Sequence, residues 1–377
     1  MPPRNDEAVP VIDPSKGLPE PRVAVDPAGA VPGETRVGFA GDLLSGRFDF
    51  GAVHPFPARS SDARGGGISE AAASGDWLHL SKSCLELSKR CLATARVAAA
   101  KSGADGVVIG QRAVFAEKLA RLAAETFAME AMTLCAVGLA ERGRATGLQI
   151  EAAMTKVWAS ERSREHEWAV RQIRQAGGQA PEPATSTVWP GSNDELRLAV
   201  ARAVVAEHWK RIAPVLNVQR TGKERFETGR RAAWHYARWY PRQWLGPLAD
   251  LGLLFSDLSP RLAAHVRWSA RASHRLSRAL FHALVLHGAK LEHEELLLGR
   301  LADLATELWA ISAVCSYAQH LHTPGSLELA DYFARATRLK IEGQFRTLHQ
   351  HTDRAGERLA QSVLDGRHAW MDGGKRD

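Results

Sequence analysis

The chain has little of what a membrane-spanning or exported protein needs. No uninterrupted apolar run of about 18 residues occurs, so the sequence predicts no transmembrane helix. The N-terminus, Met1-Pro2-Pro3-Arg4, lacks the apolar core of a signal peptide. We therefore expect a cytoplasmic protein.

Cysteine and metal-ligand patterns are also sparse. The four cysteines, Cys84, Cys91, Cys135 and Cys315, form neither a Cys-x-x-Cys zinc pair nor a disulfide framework, so we expect buried, reduced thiols. Six histidines of the C-terminal part lack the order of a zinc-protease helix; they are His287, His293, His320, His322, His349 and His351. We predict no metal site.

Strand-like alternation of β-branched residues is absent, whereas apolar residues recur at helical spacing after residue 68. One such series is Leu297, Leu301, Leu304, Leu308, Ile311 and Cys315. Glycine or proline interrupts the pattern at residues 101–106, 143–147, 177–192, 241–260 and 322–326. The sequence predicts an all-α protein with two helical bundles, at residues 68–215 and 259–365.

The other segments differ in composition. Residues 1–67 hold ten of the eighteen prolines and few apolar side chains, which predicts disorder. Residues 216–258 form an aromatic and basic linker, which we expect to be irregular. Residues 366–377 are a tail.

The formal net charge of +7 favours acidic surfaces, anionic lipid or a polyanion such as CoA, without choosing among them. In the linker, Trp234, Arg238, Trp239 and Trp244 suit the headgroup region of an anionic bilayer, which would place the protein at the membrane surface. The alternative is that these aromatic side chains fill the seam between the two bundles. Because no recognised nucleic-acid module accompanies them, we predict no nucleic-acid binding.

Several collinear segments resemble the flavin-dependent acyl-CoA dehydrogenases, most of all their very-long-chain branch. Residues 148–161 and the Glu-Lys-Leu-Ala-Arg of residues 117–121 resemble the C-terminal helical domain, and residues 294–303 resemble the extra C-terminal bundle of that branch. A short motif within residues 38–57 is similar to the segment before the family's N-terminal helical domain. The resemblance implies a four-helix bundle of the C-terminal type at residues 68–215, followed by the second bundle. The corresponding linker is implicated in membrane attachment in that branch.

The resemblance also implies where the catalytic base would lie. In the family, a glutamate before a Gly-Thr-Asn-Asp turn removes the α-proton of the acyl thioester. Here the turn is Gly-Ser-Asn-Asp at residues 191–194, and Pro190, which has no proton-accepting group, stands at the glutamate position. Some branches carry the base on the first helix, which corresponds to Asp76. The alternative for Asp76, as for Asn193 and Asp194, is capping of a helix N-terminus.

The positions that the resemblance assigns to the flavin differ as well. An arginine that meets the flavin dinucleotide's pyrophosphate aligns with Ser102, and Asp105 adds negative charge to the same loop. A glycine-rich turn that reaches a neighbouring subunit's flavin aligns with residues 174–178, where Arg174, Gly177 and Gly178 remain candidate contacts.

Two parts of the family's architecture are missing from the sequence. Residues 180–187 replace a longer helix of the acyl-CoA cleft, and only residues 58–74 stand where the family has its central β-domain. The sequence therefore predicts an acyl-CoA dehydrogenase-like protein that has lost catalysis, binds no cofactor, and pairs with itself or with a genuine dehydrogenase. The alternatives are a dehydrogenase acting on the CH–CH group, with FAD domains supplied by a partner chain, and a membrane-surface adaptor.

Overall fold

The computed structural model describes residues 68–103, 105–141, 148–179, 192–216, 221–249 and 258–372. Nine α-helices lie within these ranges, and no strand does: α1 (Ile68–Ala99), α2 (Ala113–Glu141), α3 (Leu148–Ala176), α4 (Asn193–Leu216), α5 (Gly222–Ala249), α6 (Pro260–His287), α7 (Glu295–Leu321), α8 (Pro324–Thr347) and α9 (Asp353–Leu364). The predicted all-α fold is confirmed. The disorder predicted for residues 1–67 and the motif at residues 38–57 lie outside the described residues, as does the predicted break at residues 143–147.

Helices α1, α2 and α3 pack along one another, and α4 joins them through α3. The seam contains small side chains and methionines, including Ala128, Met129 and Met132 of α2 and Met154 of α3, all at most 1% exposed. By length and composition α2 resembles a membrane-spanning helix, which the sequence analysis did not anticipate. However, 78% of its apolar stretch is buried by the surrounding helices, as in the core helix of a globular fold.

Helix α7 lies at the centre of the second half and is apolar on nearly every side, because α2, α4, α6 and α8 all pack against it. Its leucines Leu301, Leu304 and Leu308 and its Trp309 are at most 1% exposed. Burial of one such leucine stabilises the fold by roughly 1.5–3 kcal/mol. A single apolar cluster runs from Cys84 of α1 to Phe345 of α8, so the two halves share one core.

The linker expected to be irregular is instead largely the helix α5, which continues through Pro241 to Ala249. Tyr236, Trp239 and Gln243 are spaced by three and four residues and are all buried. Tyr236 and Trp239 contact the ring of Phe281 in α6, at centroid distances of 4.8 and 5.8 Å. This packing offsets the backbone hydrogen bond that proline cannot donate, which sequence pattern alone does not reveal.

The boundary between α7 and α8 is set by residues close together in the sequence. Between α7 and α8, His322 adopts a left-handed conformation with φ of 47°. The Thr323 hydroxyl then accepts a hydrogen bond from the Ser326 amide while the Ser326 hydroxyl accepts one from the Thr323 amide, each 3.2 Å long. This reciprocal cap starts α8 and confirms the predicted break at residues 322–326.

Candidate functional site

The loop between α1 and α2 holds the positions that align with the family's pyrophosphate contact. Its backbone closes on itself: the Gly103 amide donates to the Val107 carbonyl at 2.9 Å, and the Ile109 amide donates to the Lys101 carbonyl at 2.9 Å. Gly106, with φ of 79°, makes the turn that an L side chain would strain. The loop is therefore held by its own hydrogen bonds.

The charged groups of this loop are Asp105 and Arg112, which form an ion pair. The Arg112 guanidinium lies 2.5 Å from the Asp105 carboxylate and, as the main cause, holds the pKa of that carboxyl below its usual range. Sequence reasoning missed Arg112, because no spacing rule brings a residue seven positions away back to the loop. The pair is exposed to solvent, and in it the guanidinium that could meet a pyrophosphate is engaged by Asp105.

The glycine-rich turn at the end of α3 terminates that helix and packs against the loop between α1 and α2. Gly178 has φ of 69°, and the Gln179 amide donates to the Arg174 carbonyl at 3.1 Å, as at many helix C-termini. A Cβ on Gly177 would lie only 3.0 Å from the Ile109 side chain. The structure thus brings the two predicted flavin elements together at Ile109, and local packing accounts for both glycines.

The residues around the predicted base position are placed differently from expectation. Pro190 lies outside the described residues. Asn193 begins α4 but does not cap it; its side chain accepts a hydrogen bond from the Lys156 ammonium at 2.9 Å and donates one to the Ser160 hydroxyl at 2.9 Å, tying α4 to α3. The Ser192 hydroxyl, 3.4 Å from the Glu195 amide, occupies the cap position instead. Asp194 lies exposed in the first turn beside Arg197, at 3.1 Å.

Asp76, the alternative base, is the ninth residue of α1 and is exposed. It therefore does not cap that helix, and the capping interpretation was wrong for Asp76 because the helix begins earlier, at Ile68. An exposed helical carboxylate has no enclosed position in which to meet an acyl thioester in this chain alone.

A buried polar network that the sequence did not reveal links α1, α2 and α3. His166 is 2% exposed; its Nδ1 lies 3.0 Å from the Ser88 hydroxyl and its Nε2 lies 3.1 Å from the Glu125 carboxylate. Burial would raise the pKa of Glu125, but the hydrogen bond with His166 and the charges of Arg162 and Arg121 hold it at about 2. Ser88 is fully buried and lies against the Met129 sulfur, so this Ser-His-Glu arrangement offers no accessible nucleophile.

The network continues through a line of ion pairs that crosses from α3 to the second half of the molecule. Arg162 of α3 lies 3.8 Å from Glu125, 2.5 Å from Glu165 and 3.6 Å from Glu307 of α7, and Lys340 of α8 contacts Glu307. Beside this cluster is a small cavity of about 170 Å³. Each charge of this cluster has a partner of opposite charge, as expected for a contact that holds helices together.

A second cleft, of about 520 Å³, opens between α2 and α3. Trp168, 59% exposed, stands at its edge with the Lys118 ammonium 5.8 Å from the ring centroid. The lining mixes acidic and basic side chains, including Glu117 and Arg164. Within the described ranges, no three His, Cys, Asp or Glu side chains converge on a point that would hold a metal ion.

The cysteines are buried, as the sequence predicts. Burial raises the pKa of the Cys84 thiol to about 11 and that of Cys315 to about 12. Neither thiol therefore has the depressed pKa that a catalytic cysteine needs.

The four residues proposed for a membrane surface are divided between two faces of α5. Trp239 is 8% exposed and packs against His208, at a centroid distance of 5.2 Å. Trp234 and Trp244 are 67% and 59% exposed, and Arg238 lies 5.8 Å from the Trp234 ring. Trp239 therefore packs between helices, as in the alternative that the aromatic side chains fill the seam between the bundles. Trp234, Arg238 and Trp244 face outward.

Comparison with known proteins gives the family context for this geometry. Residues 78–182 match the family model described as acyl-CoA dehydrogenase, C-terminal domain. The chain is 29% identical over 318 residues to the probable acyl-CoA dehydrogenase FadE10 of Mycobacterium bovis and to that of Mycobacterium tuberculosis, covering 77% of this chain and 48% of each relative. The chain thus spans about half the length of the curated relatives it matches.

A solved structure supports the same fold. A Bacillus anthracis acyl-CoA dehydrogenase, crystallised as a complex with FAD, superimposes with a TM-score of 0.55 at 18% identity, over 74% of this chain and 49% of that protein. At that identity the likeness describes the fold alone.

Proposed function

We propose that this chain, which is related to the acyl-CoA dehydrogenases and carries their C-terminal helical domain, does not dehydrogenate acyl-CoA by itself. Its proposed role is structural: it pairs with a second copy or with a genuine dehydrogenase. The loop between α1 and α2 carries the proposal, because Asp105 engages the guanidinium of Arg112 in an exposed ion pair within the loop.

Other features support the same interpretation. The glycines at the end of α3 are explained by the helix C-terminus and by Ile109, without a bound flavin. Asn193 is engaged with Lys156 and Ser160 rather than with an open cleft. Pro190 supplies no base, and Asp76 is exposed to solvent.

Purification and a flavin titration test the proposal. The purified full chain is expected to be colourless and to leave the fluorescence of added FAD unchanged. Addition of an acyl-CoA to a mixture of the chain and FAD is expected to leave the flavin absorbance unchanged. A yellow protein whose flavin is bleached by an acyl-CoA would refute the structural role.

A restoration variant sharpens the test. Pro190→Glu returns the carboxylate that the family places before the Gly-Ser-Asn-Asp turn. We expect this variant to remain inactive, because the flavin contacts are changed independently of the base. Activity in Pro190→Glu would mean that the base alone had been lost.

The enzyme alternative has one supporting observation, which is the presence of Arg112 itself. An anion that displaced Asp105 would find a guanidinium at the mouth of the loop. Asp105→Ala removes the carboxylate and frees that guanidinium. Asp105→Asn also removes the charge, but it keeps the size of the side chain and serves as the comparison. If the chain works with a partner that supplies FAD domains, Asp105→Ala is expected to strengthen FAD binding in the mixture. No change with either variant counts against this alternative.

The membrane-surface alternative has support from the outer face of α5. Phe226, Trp234 and Trp244 are 73%, 67% and 59% exposed there, and Arg238 lies beside Trp234. Co-sedimentation with phosphatidylserine vesicles is expected to exceed that with phosphatidylcholine vesicles, and the double variant Trp234→Ala/Arg238→Glu is expected to lose the difference. Equal binding to both vesicles, or none, contradicts the membrane role.

A further inference from the structure

Helix α6 carries a row of arginines and no acidic residue. Its sequence, Pro260–His287, contains five arginines and neither Asp nor Glu. Four of these arginines recur at intervals of three and four residues, so they lie along one face of the helix, over roughly 16 Å at 1.5 Å per residue. They are Arg267, Arg271, Arg275 and Arg278. Arg271 is exposed and the other three are half-buried, so the row lies on the outer face of α6.

Helix α8 packs beside α6 and widens this row with Arg335 and Arg338. Burial, and then the charges of Arg271 and Arg335, lower the pKa of Arg338 below its ordinary value. Burial and the charge of Arg275 act on the pKa of Arg278 in the same direction. Because arginines stay charged at neutral pH, these shifts show that like charges are crowded on one surface. The arginine surface consists of Arg267, Arg271, Arg275, Arg278, Arg335 and Arg338.

Most of the positive charge on the arginine surface is not compensated. Arg275 donates a hydrogen bond to the Glu342 carboxylate at 2.8 Å, and Arg335 lies 3.0 Å from the Asp331 carboxylate. Within the described part of the chain, no carboxylate lies within 4.0 Å of the other four guanidiniums. Uncompensated like charges destabilise a compact fold through repulsion, and a partner of opposite charge relieves that repulsion.

Three guanidiniums of the arginine surface are held over aromatic rings. Their distances to the ring centroids are 4.0 Å for Arg275 over Phe345, 4.1 Å for Arg278 over Trp244 and 4.9 Å for Arg338 over Trp268. Arg278 also donates a hydrogen bond to the Gln243 carbonyl, 2.5 Å long. Because these contacts restrict the side chains, less conformational entropy is lost when a partner binds them.

We propose that the arginine surface binds a protein segment that presents a row of Asp or Glu side chains, such as an acidic helix. The planar fork of a guanidinium matches the two oxygens of a carboxylate. The contacts with Glu342 and Asp331 show that carboxylates fit the guanidiniums of this surface. Carboxylates spaced by three and four residues on a partner helix would complement the row on α6 in both charge and spacing.

A nucleic acid or a bilayer fits the same surface less well. Single-stranded nucleic acids stack their bases on accessible aromatic rings, but guanidiniums already lie over Trp268 and Phe345, and Phe345 is only 3% exposed. A helix on a bilayer inserts apolar side chains between the lipids. Between Arg267 and His282, α6 exposes no large apolar side chain. The surface is therefore one of charge alone, which suits an acidic protein segment.

The proposal rests on the structural role proposed above, for which it supplies a contact surface and the chemistry of the partner. The two proposals are tested by different measurements. Flavin titration tests the loss of catalysis, and peptide binding tests the arginine surface, so either can fail while the other stands.

Fluorescence anisotropy of a labelled synthetic peptide, titrated with the full chain, tests the proposal. The probe is a helical peptide with Glu at every third and fourth position, and the comparison peptide carries Gln at the same positions. The glutamate peptide is expected to bind, with an affinity that falls as the salt concentration is raised. The glutamine peptide is expected not to bind.

A pair of double variants locates the binding. Arg267→Gln/Arg271→Gln removes two guanidiniums that donate no hydrogen bond within the described structure, and it is expected to weaken peptide binding at least tenfold. Its melting temperature is expected not to fall, because the change relieves repulsion. The matched control Arg354→Gln/Arg358→Gln removes the same charge from exposed residues of α9 and is expected to leave the affinity nearly unchanged.

Three results would overturn the proposal: no binding of the glutamate peptide, equal binding of the glutamine peptide, or equal loss of affinity in the two double variants. The last result would mean that net charge alone attracts the peptide. Binding of oligothymidylate or of phosphatidylserine vesicles that is tighter than peptide binding, and that is lost in Arg267→Gln/Arg271→Gln, would assign the surface to nucleic acid or to lipid instead.

Discussion

Replacement of Arg162 tests whether the buried ion pairs hold the two halves of the molecule together. Arg162→Met keeps the apolar stem of the side chain and removes the guanidinium. The side chain is 10% exposed, and its charged group lies 3.8 Å from Glu125 and 3.6 Å from Glu307. These two carboxylates are themselves 12% and 5% exposed.

The expected loss follows from what remains around the two carboxylates. Breaking a buried pair by removing one partner costs about 3–5 kcal/mol, because the other charge is left buried. Glu125 keeps Arg121 and His166, and Glu307 keeps Lys340, so the lower end of that range applies. We therefore expect Arg162→Met to lower the free energy of unfolding by about 3 kcal/mol at pH 7.

Urea denaturation followed by circular dichroism measures the loss, with Arg121→Met as the matched control. Arg121 pairs with Glu125 at 3.1 Å, but its side chain is 49% exposed, so its removal is expected to cost at most about 1 kcal/mol. Adding Glu307→Gln to Arg162→Met is expected to recover part of the loss, because one unpaired carboxylate is then neutral.

The pH dependence gives a second check with a defined sign. The pKa of Glu125 is lowered in the folded chain to about 2, from an ordinary value of about 4.3. Its contribution to stability is therefore complete above about pH 4.3 and is lost as pH falls towards 2; the gap corresponds to at most about 3 kcal/mol. Without Arg162 this pKa rises, so the deficit of the variant is expected to be smaller at pH 4 than at pH 7. Equal losses for Arg162→Met and Arg121→Met would refute the reasoning.

Two further predictions concern glycine and cysteine. Gly178→Ala is expected to lower the free energy of unfolding by about 1–2 kcal/mol, because φ is 69° there, whereas Gly343→Ala inside α8, with open space around its Cβ, is expected to raise it by up to about 1 kcal/mol. Urea denaturation of both variants checks the opposite signs, and two changes of the same sign would contradict this account of the backbone. The Cys315 thiol, with a pKa raised by burial to about 12, is expected to react with a disulfide reagent at pH 8 only after denaturant is added. Fast labelling of the folded chain would show that α7 is more accessible than its packing implies.

The helical content of the chain, and which residues of α7 form its buried core, were largely predictable from the sequence. The series from Leu301 to Cys315 keeps one helical spacing, and that spacing survives in α7 because local periodicity and burial agree there. Glycine and proline marked the break before α8 for the same reason: their effect on the backbone is local. The prediction of an irregular linker was wrong, because contacts with distant residues such as Phe281 stabilise α5 through Pro241.

The candidate site was predictable only in part. Family resemblance located the loop around Asp105 and the glycines at the end of α3, since both align along the chain. The resemblance did not reveal that Arg112 pairs with Asp105, that Ile109 packs against Gly177, or that His166 forms a buried network. Each of these contacts joins residues whose separation along the chain follows no rule of spacing.

The sequence by itself determined that the chain is helical, where some of the helix breaks lie, and which family its helical domain resembles, because periodicity, glycine and proline breaks and motifs are properties of neighbouring residues. The tertiary structure decided which charges are compensated and which surfaces stay open. Asp105 is ion-paired, Arg162 lies inside a seam, Trp239 is buried while Trp234 is exposed, and α9 presents an apolar face to solvent. These outcomes depend on distances between residues far apart in the chain, which folding alone sets.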